Sequence, residues 1–232
     1  MSSLRSSSFA TSLVAASSAF LLTGCGADSF ALFEGASNSV KGSGVAKTET
    51  REVGAFTEFD VSAAMNVELT VGPATKLEIT ADDNLLPHLK SEVSDGKLKL
   101  YFDTSNSSKI GVKVKASTPS LKAYHGSGAT TAKIEGLKAD AFNLHLSGAS
   151  NCTIDGTADK LVVECAGASN VKAAKLVAKS AKVNVSGPSS VEVHASDDLN
   201  ADASGASTIR YSGNPASLKK STSGASSIKA KG

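Results

Sequence analysis

The stretch "LSGASNCTIDG", Leu146–Gly156, decides the fold because the chain keeps repeating its centre. "HGSGATTAKIEG" precedes it at His125, and "CAGASNV" (Cys165), "VSGPSSVEV" (Val185), "ASGASTIRY" (Ala203) and "TSGASSIKA" (Thr222) follow. The central glycines are Gly128, Gly148, Gly167, Gly187, Gly205 and Gly224, separated by 20, 19, 20, 18 and 19 residues. A period near 19 kept over six copies is the mark of a solenoid, in which each coil buries its faces against the next.

Aligning the copies on that glycine sorts the side chains. Two residues before it stand Leu146, Cys165, Val185, Ala203 and Thr222; four before it stand Leu144, Val163, Val183, Ala201 and Lys220. Four after it stand Cys152, Val171, Val191, Ile209 and Ile228. Between these positions lie polar residues, with His145, Glu164, Asn184 and Asp202 three before the glycine and Lys172, Glu192 and Arg210 five after. Alternation of period two makes each flank a strand, and stacking coils about 4.8 Å apart puts equivalent residues in columns. The pattern predicts an all-β, parallel β-helix with aliphatic columns inside and polar columns outside.

The six glycines are the predicted structural turns, where a corner needs positive φ and close backbone approach. The flanking serines are suited to bonding backbone groups at the turn. The third side of each coil lacks a clean six-residue pattern, as at Thr157, Ala158 and Asp159, which favours the right-handed form over a left-handed hexapeptide helix.

Composition agrees with a thin aliphatic core, since aromatics are 5% of the chain and Trp is absent. The net charge of +2 comes from well-mixed residues, which argues against a nucleic-acid partner. At the N-terminus, Arg5 precedes the short apolar run "FATSLVAASSAFLL" (Phe9–Leu22), which suits the core of a secretory signal and is too short to span a membrane. It ends in Leu22, Thr23, Gly24 and Cys25, a run that resembles the bacterial lipobox. That resemblance implies cleavage before Cys25 and lipidation of its thiol, with acyl chains as the membrane anchor. Gly26, in place of an aspartate, favours the outer membrane by the sorting rule of enteric bacteria.

The expected organisation is a signal peptide over 1–24, a lipidated cysteine and Gly/Ser/Ala-rich tether over 25–47, an N-terminal β part over 48–120 and the repeats over 121–232. The last two are read as one continuous domain. Within the N-terminal part, "FTEFDV", "MNVELTVG", "KLEIT" and "KIGVKVKA" alternate as strands, and "DGKLKLYF" (Asp95–Phe102) opens on an Asp-Gly turn signal. "DDNLLPHLK", with Pro87, suits a short helical turn or loop.

"GSGVAKTETREVGAFTEFDVSAAMNVELTVG" (Gly42–Gly72), "ADDNLLPHL" (Ala81–Leu89), "DGKLKLYF" and the recurrent "SGAS" together resemble the head GIN domain family of auto-transporter adhesins. The resemblance spans about residues 42–232 and departs at Ala63, where the later coils have glycine. It implies a pectin-lyase-like right-handed β-helix and an exported, lipid-anchored adhesin. It supplies no catalytic residue.

The residues themselves point to binding rather than catalysis. His88, His125, His145 and His194 show no metal-ligand spacing, and no cofactor or metal is expected. The serines recur in every coil, whereas a nucleophile is one distinguished residue. Asp82, Asp83, Asp197 and Asp198 read as solvated turn residues, and Lys172, Glu192 and Arg210 as a surface ion-pair ladder. The candidate binding feature is the polar strip Asn151, Asn170, Ser190, Thr208 and Ser227, which offers glycans or surface proteins many weak contacts. Cys152 and Cys165 fall in different inward columns and read as two buried free thiols, with a disulfide between them, which an exported compartment permits, as the alternative. The expected function is a non-enzymatic outer-membrane adhesin. The alternatives are a polysaccharide-binding or polysaccharide-degrading β-helix and a periplasm-facing structural lipoprotein.

Overall fold

Four long strands, Thr131–Leu146, Asn151–Cys165, Asn170–Val185 and Ser190–Ala203, stack in parallel in chain order. They belong to a computed structural model that describes residues 39–231. The signal segment, most of the tether and the lipobox residues Leu22, Thr23, Gly24 and Cys25 lie outside the described residues. Thr208–Ser212, Ser217–Thr222 and Ser227–Ala230 continue the stack. The protein is a parallel β-solenoid.

The stack also runs the other way. Ala123–Ser127 lies parallel on Glu58–Ser62, which lies on Lys97–Phe102. Thr131–Glu135 lies on Met65–Val71, which lies on Val112–Thr118. The N-terminal strands are therefore the lower rungs of the same ladders. Their corner carries no Ser-Gly-Ala signal because Ala63 occupies it, with its N–H donating to Ser127 O at 3.3 Å.

Antiparallel strands close this end. Leu89–Ser94 returns to Lys97–Phe102 through Asp95 (φ 52°) and Gly96 (φ 73°), the positive-φ pair that an Asp-Gly hairpin turn requires. Lys76–Asp82 pairs antiparallel with Val112–Thr118, and Ala46–Thr50 pairs with Lys76–Asp82. These returns cover the ladder edge that would otherwise invite another chain. Between them Leu86–His88 forms one 3-10 turn, with Pro87 inside it.

The register puts the predicted columns in place. Val67, Ala132, Cys152, Val171, Val191, Ile209 and Ile228 are successive partners. Leu98, Phe59, Tyr124, Leu144, Val163, Val183, Ala201 and Lys220 form a second column. The third side is built on Ala139, Ala158, Ala178 and Ala195. Alanine is too small to show periodicity in the sequence, yet it lets the narrow side close on the core. Aromatics gather toward the antiparallel end, where Phe59 lies 5.7 Å from Phe56 and 6.0 Å from Tyr124 between ring centres. At the other end the inward position passes to Lys220, whose ammonium lies 4.8 Å from the centre of the Tyr211 ring. A polar last coil is what a solenoid end in water needs.

The second serine of the Ser-Gly-Ala-Ser corner is buried, and in most copies it has a specific task. Ser150 and Ser169 donate their hydroxyls to the carbonyl three residues back, at 2.8 and 3.2 Å, and Ser189 donates to Gly167 O of the neighbouring coil at 2.6 Å, whereas the Ser207 hydroxyl has no partner among the described residues. The hydroxyl thus satisfies a carbonyl that the turn withdraws from water.

Asp82 corrects the reading of the aspartates as solvated. It is fully covered, and its carboxylate accepts from Gly44 N at 2.6 Å, from Ser108 Oγ at 2.5 Å and from Lys109 N at 3.2 Å. Next to it, Asp83 accepts from Ser43 Oγ at 2.5 Å, and Asn84 Oδ1 accepts from Ser43 N at 2.8 Å. The "ADDN" and "GSG" runs are therefore the two halves of one clasp that ties the incoming N-terminal segment to the solenoid. The Ser108 hydroxyl first, then the backbone N–H groups, hold the Asp82 carboxyl below the usual carboxylate range. A depressed folded-state pKa gives stability that is present above the ordinary carboxylate pKa and lost as pH falls through the folded value. The protection of the Ser43 and Gly44 amides, measured against the intrinsic exchange rate at each pH, is therefore expected to fall at acid pH before that of the core, and Asp82→Asn should accelerate their exchange already at neutral pH. Unchanged exchange in Asp82→Asn would contradict the clasp.

Candidate functional site: a groove along one corner

On the strand side of the Ser-Gly-Ala corner, a groove of about 390 Å³ runs along the solenoid axis. One wall is the outward column His145, Glu164, Asn184, Asp202 and Ser221. The floor is Ala166, Ser186, Ser204 and Ser223, the small residues just before each corner glycine. The same repeat that builds the turn therefore builds the groove. Long polar side chains stand on the strand, and the short ones beside the glycine leave a channel.

His145 Nδ1 lies 3.2 Å from Glu164 Oε2, and its ring lies 6.0 Å from that of His125 in the next rung. Burial first, then the nearby Lys97 charge, lowers the His125 pKa. Ser186 Oγ donates to Cys165 O at 3.4 Å, and Ser204 Oγ donates to Val185 O at 3.3 Å. The floor backbone is also engaged, since Ala166, Ser186, Ser204 and Ser223 each donate their N–H to the rung below at 2.9 Å. What faces the channel is the His145 imidazole, the Glu164 and Asp202 carboxylates, the Asn184 amide and serine hydroxyls.

The predicted strip Asn151, Asn170, Ser190, Thr208 and Ser227 forms one in-register column. It lies on the other side of the corner and does not line this groove. Asn151 is exposed and the others are half-buried. The predicted turn glycines Gly128, Gly148, Gly167, Gly187, Gly205 and Gly224 all have positive φ, from 72° to 84°.

Lys172, Glu192 and Arg210 stack in register, but the expected ion-pair ladder is corrected. Glu192 Oε2 instead pairs with Lys231 Nζ from the last described residues, at 3.0 Å. Parallel strands hold equivalent side chains side by side, and the long lysine reaches in from the end to take the carboxylate.

His88 pairs with Asp103 Oδ1 at 3.1 Å, and His194 Nδ1 lies 3.1 Å from Ser212 Oγ. Among the described residues no three His, Cys, Asp or Glu side chains converge as metal ligands. Cys152 and Cys165 are free and buried, and burial pushes the Cys165 thiol pKa up to about 12 and that of Cys152 higher still. Neither thiol should react with a maleimide in the folded protein, and both should react once it is denatured without reductant. A single reactive thiol, or none, would contradict the free pair.

The family model described as "Putative auto-transporter adhesin, head GIN domain" matches residues 55–215. The chain belongs to the head GIN domain family. The matched region takes in the lower rungs as well as the Ser-Gly-Ala-Ser coils, which fits their being one continuous stack. Among solved structures, this head GIN domain is similar to a "putative adhesin" of Bacteroides fragilis NCTC 9343, at 22% identity and a TM-score of 0.68, covering 83% of this chain and 100% of that one. It is also similar to a "putative adhesin" of Parabacteroides merdae ATCC 43184, at 21% identity and a TM-score of 0.57, covering 84% and 99%. A third, a "putative lipid binding protein" of Parabacteroides distasonis ATCC 8503, gives 20% identity and a TM-score of 0.52, covering 84% and 100%. At such identities the likeness is one of fold. No curated protein matches the chain.

Four of the five wall residues, His145, Glu164, Asn184 and Asp202, were visible in the sequence as outward polar positions, and Ser221 holds the same place in the next coil. What the sequence did not show is that the small residue before each glycine turns that column into one side of a channel. The signal was the run Ala166, Ser186, Ser204 and Ser223, small in every copy.

Proposed function

We propose that this head GIN domain protein is a lipid-anchored adhesin of the bacterial outer membrane, tethered through Cys25 and acting by surface contact without catalysis. The observation that carries the reading is the continuous side of the solenoid, where one polar column and one groove repeat over successive coils. Repetition suits many weak contacts along an extended target, and multivalence turns these into firm attachment. The family description supports adhesion, and the lipobox with its Gly/Ser/Ala-rich tether supports anchorage at a membrane. The partners in this reading are the membrane, through acyl chains, and glycans or proteins of the opposing surface.

Protease treatment of intact cells tests where the protein faces. An outward-facing adhesin is digested while periplasmic markers survive. Full protection until the outer membrane is permeabilised would favour a periplasm-facing structural lipoprotein. Metabolic labelling with an alkynyl fatty acid should mark the protein and fail in Cys25→Ser; labelling that survives the substitution would remove the anchor.

A further inference from the structure

We infer that the corner groove binds a linear glycan bearing free amino groups, which deepens the adhesin reading and rests on it. The groove is lined by two carboxylates and by hydroxyls and an amide that can accept. Glu164 and Asp202 contribute carboxylates, and no lysine or arginine is among the lining residues. The Ser186 and Ser204 hydroxyls make only long contacts to Cys165 O and Val185 O, at 3.4 and 3.3 Å, so their oxygens are open to accept from a ligand in the channel. A complementary ligand must therefore be rich in donors and carry positive charge. Ammonium and hydroxyl groups along an aminosugar chain meet both demands.

A basic peptide meets the charge but not the geometry. Peptides gain their affinity on sheets by adding a strand to a free edge. Here the floor N–H groups of Ala166, Ser186, Ser204 and Ser223 are all used in rung-to-rung bonds, so the groove is a side of the ladder and not an edge. What it offers instead is one polar side chain per rung, about 4.8 Å apart, with carboxylates at Glu164 and Asp202, over a floor of small side chains. From His145 to Ser221 that makes five rungs, or about 19 Å, open along the axis. The lining contains no Tyr, Phe or Trp for a sugar face to stack on, so single-site binding is weak and salt-sensitive.

The test uses the full chain in detergent micelles and four probes: a β-1,4-linked glucosamine oligomer, its fully N-acetylated counterpart, an oligogalacturonate and oligolysine. Calorimetry at low salt is expected to show binding of the glucosamine oligomer, and Glu164→Gln/Asp202→Asn should weaken it about tenfold or more. Asp197→Asn, an exposed acid outside the groove, should leave binding unchanged. No binding of the glucosamine oligomer, equal binding of its acetylated form, preference for oligogalacturonate, or equal binding of oligolysine would each overturn the inference. So would full binding by the double variant. The double variant in cells separates the two readings. If the protein supports attachment but the variant binds the oligomer like the parent, the groove assignment fails alone. If the oligomer binds in the groove but loss of the protein leaves attachment intact, the adhesin reading fails alone.

Discussion

Gly148→Val is expected to cost about 3–5 kcal/mol, a large share of the stability of a domain this size. Gly148 has φ 74°, a conformation that a β-branched residue adopts only under strain. A Cβ there would lie 2.5 Å from Gly128 O, a backbone atom of the adjoining coil. That carbonyl already accepts the Ala149 N–H at 2.7 Å, so it cannot retreat without giving up a rung-to-rung bond. Urea unfolding should show a lower midpoint with an unchanged slope. Ala149→Ser, one residue on and exposed, should stay within about 0.5 kcal/mol of the parent. Equal midpoints for Gly148→Val and Ala149→Ser would mean that the corners are not stacked as described.

Val183→Asp should be more damaging still. Val183 is fully buried between Val163 and Ala201 in the inward column, where aliphatic neighbours offer a carboxylate no partner. An unpaired buried charge belongs to the class of substitutions that exceed about 4–5 kcal/mol. Because each coil contacts chiefly its neighbours, the damage should be graded along the axis. Hydrogen exchange is expected to lose protection first over Asn170–Ala203, while Glu58–Ser62 and Ala123–Ser127, stacked around Phe59 and Tyr124, keep more of it. Lys182→Asp, exposed on the same strand, should leave the profile unchanged. Uniform loss of protection across the chain in Val183→Asp would contradict a stack of nearest-neighbour coils.

These two substitutions also mark where the sequence was legible. Columns such as Val163–Val183–Ala201 and corners such as Gly148 could be read directly, since a fixed period forces equivalent residues into register. The third side escaped because Ala139, Ala158, Ala178 and Ala195 carry too little hydrophobic contrast, and because bulges shift the register there, as between Ile134 and Leu137. The lower coils escaped because Ala63 replaced the glycine and antiparallel insertions stretched the period. Asp82 looked like a turn residue because its donors, Gly44 and Ser108, lie 38 and 26 residues away in sequence. The groove was half legible. Its wall followed from alternation, whereas its floor depends on how side-chain size varies beside the corner, and that becomes visible only when the coils are stacked.

Attachment is the most direct measure of the central claim, that the side of this solenoid works by contact. Cells lacking the protein, cells complemented with the parent chain and cells complemented with Glu164→Gln/Asp202→Asn are to be compared for adhesion to a glucosamine-polymer surface under flow. Loss of adhesion on deletion, recovery with the parent and failure to recover with the stably folded double variant is the predicted result. Unaltered adhesion in the deletion strain would contradict it.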